Sequence, residues 1–111
     1  MKNLILLVFY LITISCSQEP KEITGPFIIK EGVKYQQEKP FQPINGFIKT
    51  FYENESLKTL ENYEDGKLNG MFEGYHYNGQ LKEKGSFKNG EYDGPWKQYD
   101  PDGKLQWKGS Y

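Results

Sequence analysis

The sequence predicts an all-β protein, an elongated antiparallel β-meander of hairpin repeats in a single-layer twisted sheet. Composition is the first reason: the chain has no Ala, the best helix former, while nine Tyr help bring aromatics to 16% and there are 12 Gly. The second is a period of 24 residues without a gap, and the third is the turn dipeptide Asn78-Gly79 placed within that period.

The period is visible in several residue classes at once. Gly46, Gly70 and Gly94 are 24 apart, and Ile48, Phe72 and Trp96 keep the same register. So do Phe51, Tyr75 and Tyr99, then Leu57, Leu81 and Leu105, then Tyr63, Phe87 and Tyr111. Within one copy, Met71 to Tyr77 reads as an outgoing strand, Asn78-Gly79 as a type I′ turn and Gln80 to Phe87 as the return. Lys88-Asn89-Gly90 turns the chain again, and Asp100-Pro101-Asp102-Gly103 repeats the hairpin turn one copy later. Gly46, Gly66, Gly70, Gly79, Gly90, Gly94 and Gly103 are the expected structural glycines. Glu55 stands where Gly79 and Gly103 stand in the later copies, and it should loosen its hairpin.

The returning strands alternate with period two, which sets Leu105 and Trp107 on one face together with Gly109 and Tyr111. The outgoing strands break alternation, because Phe72 and Tyr75 are three apart, as are Trp96 and Tyr99. A β-bulge in those strands would bring each pair to one face.

The stretch G-x-[FW]-x-x-Y, N/D-G-x-L and S-[FY]-K-N-G resembles MORN repeats, in the bacterial variant found in antitoxin-like proteins. Residues 46–111 carry the resemblance, as copies 46–69 and 70–93 and a partial copy 94–111. Gly32 to Phe47, with Tyr35 and Pro40-Phe41, resembles the lead-in that often precedes such repeats. It lacks their glycine turns, so residues 26–45 are expected as a cap or half-repeat. The resemblance implies a fold, and a protein-binding or scaffolding role, more than any chemistry. An antitoxin role would need a partner that is itself exported, given the amino terminus.

Lys2 is followed by the uncharged apolar run Leu4 to Ile14, then Ser15 and the only cysteine, Cys16. So short a run suits a signal peptide better than a membrane span, which needs roughly 20 residues. Residues 1–15 resemble the signal of a bacterial lipoprotein, cut before a lipidated Cys16, although Thr13 stands where such signals usually carry Leu. The alternative is an ordinary cleaved signal with Cys16 a bystander. Residues 16–25 are expected as lipidated Cys and tether, about ten residues or on the order of 30 Å at full extension. The expected location is the cell envelope, anchored through Cys16 to a bacterial membrane; the lack of Asp after Cys16 resembles outer-membrane sorting, where the cell has one.

Charge excludes several partners. The 14 basic residues are all Lys and balance 15 acidic ones, so neither a net field nor an Arg fork is available for nucleic acid. No cofactor, metal site or catalytic residue is expected. His76 is the only histidine and is expected to face solvent, Ser86 and Ser110 lack a nucleophile context, and Glu73 and Glu83 would need a cleft to act as a carboxylate pair. The aromatic residues Phe72, Tyr75, Trp96, Tyr99 and Trp107 are first of all core. Three copies cannot cover both sides of every ring, so these residues, with Leu105 and Tyr111 on an edge strand from Lys104 to Tyr111, form the candidate surface for a protein partner. A carbohydrate-binding envelope module is the rival reading, through aromatic stacking on sugar rings.

Overall fold

Eight strands and no helix occur among residues 19–38 and 40–111, the part described by the computed structural model. The signal segment and Cys16 lie outside the described residues. A two-stranded hairpin comprises β1 (Phe27–Lys30) and β2 (Val33–Gln36). The other six strands make one antiparallel sheet in sequence order: β3 (Gly46–Phe51), β4 (Leu57–Glu64), β5 (Lys67–Tyr75), β6 (Leu81–Lys88), β7 (Glu91–Tyr99) and β8 (Leu105–Ser110). The expected all-β meander of hairpins is the fold observed.

Two kinds of turn alternate along the meander. At Asp65-Gly66 and Asn89-Gly90 both residues have positive φ, 50° and 79° in the first and 51° and 82° in the second. Those are two-residue hairpin turns of the I′ kind. Asn78-Gly79 is different from its expected type I′ form: only Gly79 has positive φ, 87°, and its N–H donates to the His76 carbonyl at 2.9 Å. His76 N–H in turn donates to the Gln80 carbonyl at 2.8 Å, which makes a three-residue loop ending in a left-handed residue. Glu55 and Gly103 hold the matching places with φ of 69° and 88°, so the first copy forces a glutamate into the conformation that its successors assign to glycine.

The bulges also differ from expectation. In β5–β6, Gly74 pairs with Glu83 and Tyr75 with Leu81, which leaves Lys82 as the extra residue. Gln106 is extra in the same way between the pairs Gln98–Trp107 and Tyr99–Leu105. The bulges at the hairpin ends therefore lie on the returning strands, and from Phe72 to Tyr75 and from Trp96 to Tyr99 alternation continues unbroken. Phe72 and Tyr75 point to opposite faces, as do Trp96 and Tyr99, and the bulge likewise parts Leu105 from Trp107.

The lead-in is a true hairpin of the repeat kind. Its turn, Glu31-Gly32, has φ of 51° and 78°, matching Asp65-Gly66, which corrects the expectation that it lacks a glycine turn. Gly32 and Gly66 are 34 residues apart rather than 24, and the segment between β2 and β3 holds the surplus. That segment returns Ile44 to the sheet, where Ile44 N–H donates to Lys34 O at 3.1 Å and its own carbonyl accepts from Gly66 N at 2.8 Å.

Part of the expected tether is docked. Ile23 N–H donates to Phe47 O at 2.7 Å and Phe47 N–H to Lys21 O at 2.9 Å, a parallel bridge along β3. Backbone groups left open on an edge strand accept whatever extended segment is nearest, and here that segment is the chain's own.

Successive copies are tied turn to turn at the same 24-residue offset. Tyr52 Oη donates to Tyr75 O at 2.6 Å, and one copy later His76 Nε2 meets Tyr99 O at 2.9 Å. Asn54 Nδ2 donates to Tyr77 O at 3.1 Å and Asn78 Nδ2 to Pro101 O at 2.8 Å. At the opposite end Asp65 N donates to Asn45 Oδ1, and Asn89 N to Asn69 Oδ1. Side chains thus supply the contact between neighbouring units that a stack of repeats requires.

Candidate binding surface

Pairing across the ladder sets which side chains share a face. Phe72 is opposite Gly85 and Trp96 opposite Gly109, so Phe72, Gly85, Trp96 and Gly109 lie on one face, with Phe87, Tyr92 and Trp107. The rings run on as one chain: Phe72–Phe87 centroids are 5.5 Å apart, Phe87–Trp96 5.1 Å, Trp96–Tyr92 4.8 Å and Tyr92–Tyr111 5.0 Å. These separations suit favourable aromatic packing.

Trp96, in the middle of that chain, is its most buried ring, only 2% exposed, and its indole N–H donates to Ser86 O at 3.0 Å. A single-layer sheet buries so large a ring only because its neighbour is Gly85: a Cβ there would meet the indole Cδ2 at 2.1 Å. Farther out the rings open to solvent, with Tyr92 54%, Trp107 42% and Tyr111 65% exposed.

Among the described residues β8 pairs only with β7. Gly94 and Tyr111 exchange both backbone hydrogen bonds, at 3.3 and 3.0 Å. Since antiparallel partners alternate between bonded and non-bonded pairs, Trp107 and Gly109 turn their N–H and C=O groups toward β7, while Lys108 and Ser110 turn theirs to the open side. The other edge is unlike it, because Lys21–Ile23 lies along β3.

The candidate residues divide between these environments. Phe72 is half-buried among rings and Trp96 is core, so neither offers a ring face to a partner. Tyr75 and Tyr99 are half-buried on the opposite face, where Leu105 is exposed beside Tyr99. Trp107 and Tyr111 are brought together, 6.3 Å between centroids, at the β8 edge. Gly46, Gly66, Gly70, Gly79, Gly90, Gly94 and Gly103 all have positive φ. Tyr92 belongs to the aromatic strip and sequence reasoning missed it. Its position 24 residues after Leu68 concealed it among the turn-flanking residues.

Polar side chains settle into structural roles. His76 is half-buried, not solvent-facing, and because a carbonyl only accepts, its Nε2 carries the proton. Glu73 and Glu83 lie on opposite faces: Glu73 pairs with Lys84 and accepts the Tyr75 hydroxyl, while Glu83 pairs with Gly74. That bond, more than burial, pushes the Tyr75 hydroxyl pKa up to about 12. Lys34 Nζ donates to Tyr63 Oη at 2.9 Å, and Tyr63 donates to Glu61. Burial first, then the Glu61 hydrogen bond, raises the Tyr63 pKa far above its ordinary value. This trio lines an open cleft of about 600 Å³ against the lead-in hairpin, its lysine and carboxylate already engaged with each other. Among the described residues no group of His, Cys, Asp or Glu is placed to hold a metal ion.

An open sheet of hairpins, tied turn to turn at a fixed offset, defines a repeat module. Two stretches, residues 68–89 and 92–111, are similar to the MORN repeat variant family. The first stretch covers nearly all of the β5–β6 hairpin with its following turn, and the second covers most of β7 and all of β8. No curated protein and no solved structure matches the chain significantly. MORN repeats are generally non-catalytic modules that bind proteins or membranes.

Proposed function

We propose that this chain is a non-catalytic, lipid-anchored repeat module that binds a protein or scaffolds the cell envelope, antitoxin-like where its partner is also exported. The open β8 edge carries this reading. Lys108 and Ser110 present backbone groups there that have no partner among the described residues, with exposed Trp107 and Tyr111 on one side of the strand and Leu105 on the other. An extended segment of a partner gains main-chain hydrogen bonds from such an edge and side-chain contacts from both faces. The run Leu4 to Ile14 before Cys16 supports the anchoring, and the location proposed with it is a bacterial membrane, the outer one where there are two.

A photo-cross-linker placed at Leu105 in cells tests the partner, with the comparably exposed Phe51 as control. A discrete protein adduct from position 105 alone is expected; equal labelling from both positions would remove the support for this edge. The anchor is tested by Cys16→Ser, which should release the processed chain from membranes. A chain that still sediments wholly with membranes after signal cleavage rules the anchor out.

Carbohydrate binding is the second reading, favoured by the exposed rings of Tyr92, Trp107 and Tyr111 in one strip. Retention on peptidoglycan or glycan beads that is lost in Trp107→Ala would favour it.

A further inference from the structure

The open edge is a translated copy of an interface that the protein has already built. Residues of β8 stand 24 after those of β6: Gly109 after Gly85, Ser110 after Ser86, Lys108 after Lys84. β6 uses that set to seat β7. Trp96 lies on Gly85 and donates its indole N–H to Ser86 O, while Gly94, two residues before, holds φ of 67° as β7 bulges into place. On β8 the same glycine and the same outward carbonyl recur with no neighbouring strand among the described residues.

One difference shows how the second seat is kept. A Cβ at Gly109 would meet Trp107 Cζ2 at 2.5 Å, so the Trp107 ring folds back over the glycine of its own strand. The residue in that place on β6 is Glu83, which leaves Gly85 to the incoming Trp96. Trp107 is 42% exposed and is held by one long ring contact, so it covers the seat without filling it as Trp96 fills its own.

Charge sets the remaining preference. Glu73, Lys84, Lys97 and Lys108 stand opposite one another in one cross-strand row, an acid at its β5 end and three cations after it. Like charges so placed repel, and an acidic residue next in the row relieves the repulsion.

Resting on the protein-binding reading above, we propose that the β8 edge receives an extended peptide segment, antiparallel to β8, of the pattern Gly-x-aromatic-acidic. Its aromatic ring displaces Trp107 from Gly109, its glycine permits the bulge seen at Gly94, and its acidic residue lies opposite Lys108. Trp107 is then a placeholder for the partner's ring instead of a contact to it.

The test uses the full chain and a synthetic nonapeptide copying residues 91–99, with Phe in place of Trp96 and Glu in place of Lys97. That probe lacks tryptophan, so a change in indole fluorescence reports the protein alone. Saturable binding with a fluorescence change is expected, weakened at least tenfold when the probe's Phe is changed to Ala and severalfold when its Glu is returned to Lys. Trp107→Ala should tighten binding severalfold, measured by isothermal titration, because it empties the seat. Weaker binding in Trp107→Ala would make Trp107 a direct contact and overturn the placeholder, while leaving the protein-binding reading intact. Binding indifferent to the probe's Phe, no binding at all, or occupation of the edge by a second copy of the chain in sedimentation would each overturn the proposal. Those outcomes differ from failure of the wider reading, which is the loss of the specific Leu105 adduct in cells.

Discussion

Trp96 lies against Gly85 so closely that a methyl group at residue 85 would fall 2.1 Å from the indole Cδ2. No side-chain rotation at residue 85 relieves that contact, because the obstructing atom is Cβ itself. The ring must move, and with it the hydrogen bond to Ser86 O and the packing of Phe72, Phe87 and Tyr92.

Gly85→Ala should therefore cost about 1–3 kcal/mol, the usual range for overpacking a well-packed site. Gly109→Ala makes a useful contrast, since the ring it meets, Trp107, is partly exposed and free to swing outward. Urea denaturation midpoints should fall clearly for residue 85 and little for residue 109. Equal falls would mean that Trp96 is not held by the glycine seat.

Glu55 gives a change of opposite sign. Its φ of 69° is the left-handed conformation, which costs an L side chain roughly 1 kcal/mol. Glu55→Gly should raise stability by a few tenths to about 1 kcal/mol, the relief being offset in part by glycine's greater freedom when unfolded. Gly79→Val and Gly103→Val, at the equivalent turns, should lower it by about 1 kcal/mol or more. A thermal midpoint that falls in Glu55→Gly would contradict the shared turn geometry.

The period and the turn glycines were legible because each is a local demand repeated from copy to copy. The turn at Asn78-Gly79 was not, since one dipeptide serves both a two-residue turn and a three-residue loop ending in a left-handed glycine. Which one forms depends on how His76 pairs with Gln80. Leu105 and Trp107 look like neighbours on one face until Gln106 is known to be extra, and that is a property of two strands together. Gly85 passed for an ordinary step of the alternation; only the ring of Trp96, eleven residues away, gives it a purpose. Lys21–Ile23 docks through backbone groups, which leave no signature in side-chain pattern.

Alkaline titration tests the Tyr75–Glu73 bond. The folded-state pKa of Tyr75 is pushed up to about 12 from 10.0, so the folded chain keeps that proton more tightly than the unfolded one. The stabilisation is complete below pH 10 and is lost as pH rises toward about 12. Phenolate absorbance should show Tyr63 and Tyr75 ionising last, and Glu73→Gln should bring Tyr75 back toward the bulk of the tyrosines. Since glutamine keeps an acceptor oxygen and loses only the charge, an unchanged titration curve in Glu73→Gln would show that the carboxylate charge does not hold the proton.

Amide exchange tests the edge residue by residue. Trp107, Gly109 and Tyr111, whose N–H groups point to β7, should be protected, while Lys108 and Ser110 should exchange as fast as open backbone. Protection of all five in the isolated chain would mean that the edge is already covered.

The bridge between Lys21–Ile23 and Phe47 governs reach. Had residues 16–25 been free, an acyl group at Cys16 would let the sheet wander some 30 Å in any direction. With Lys21 held on β3, the leash from the proposed anchor is five residues, about 18 Å at full stretch. The proposed anchor would then hold the β3 edge, and five strand spacings of about 4.8 Å carry the sheet from there to β8. On the proposed anchoring, the module would be tethered by one rim, and a segment arriving from outside the membrane would meet β8, which has one partner strand among the described residues, before the anchored edge.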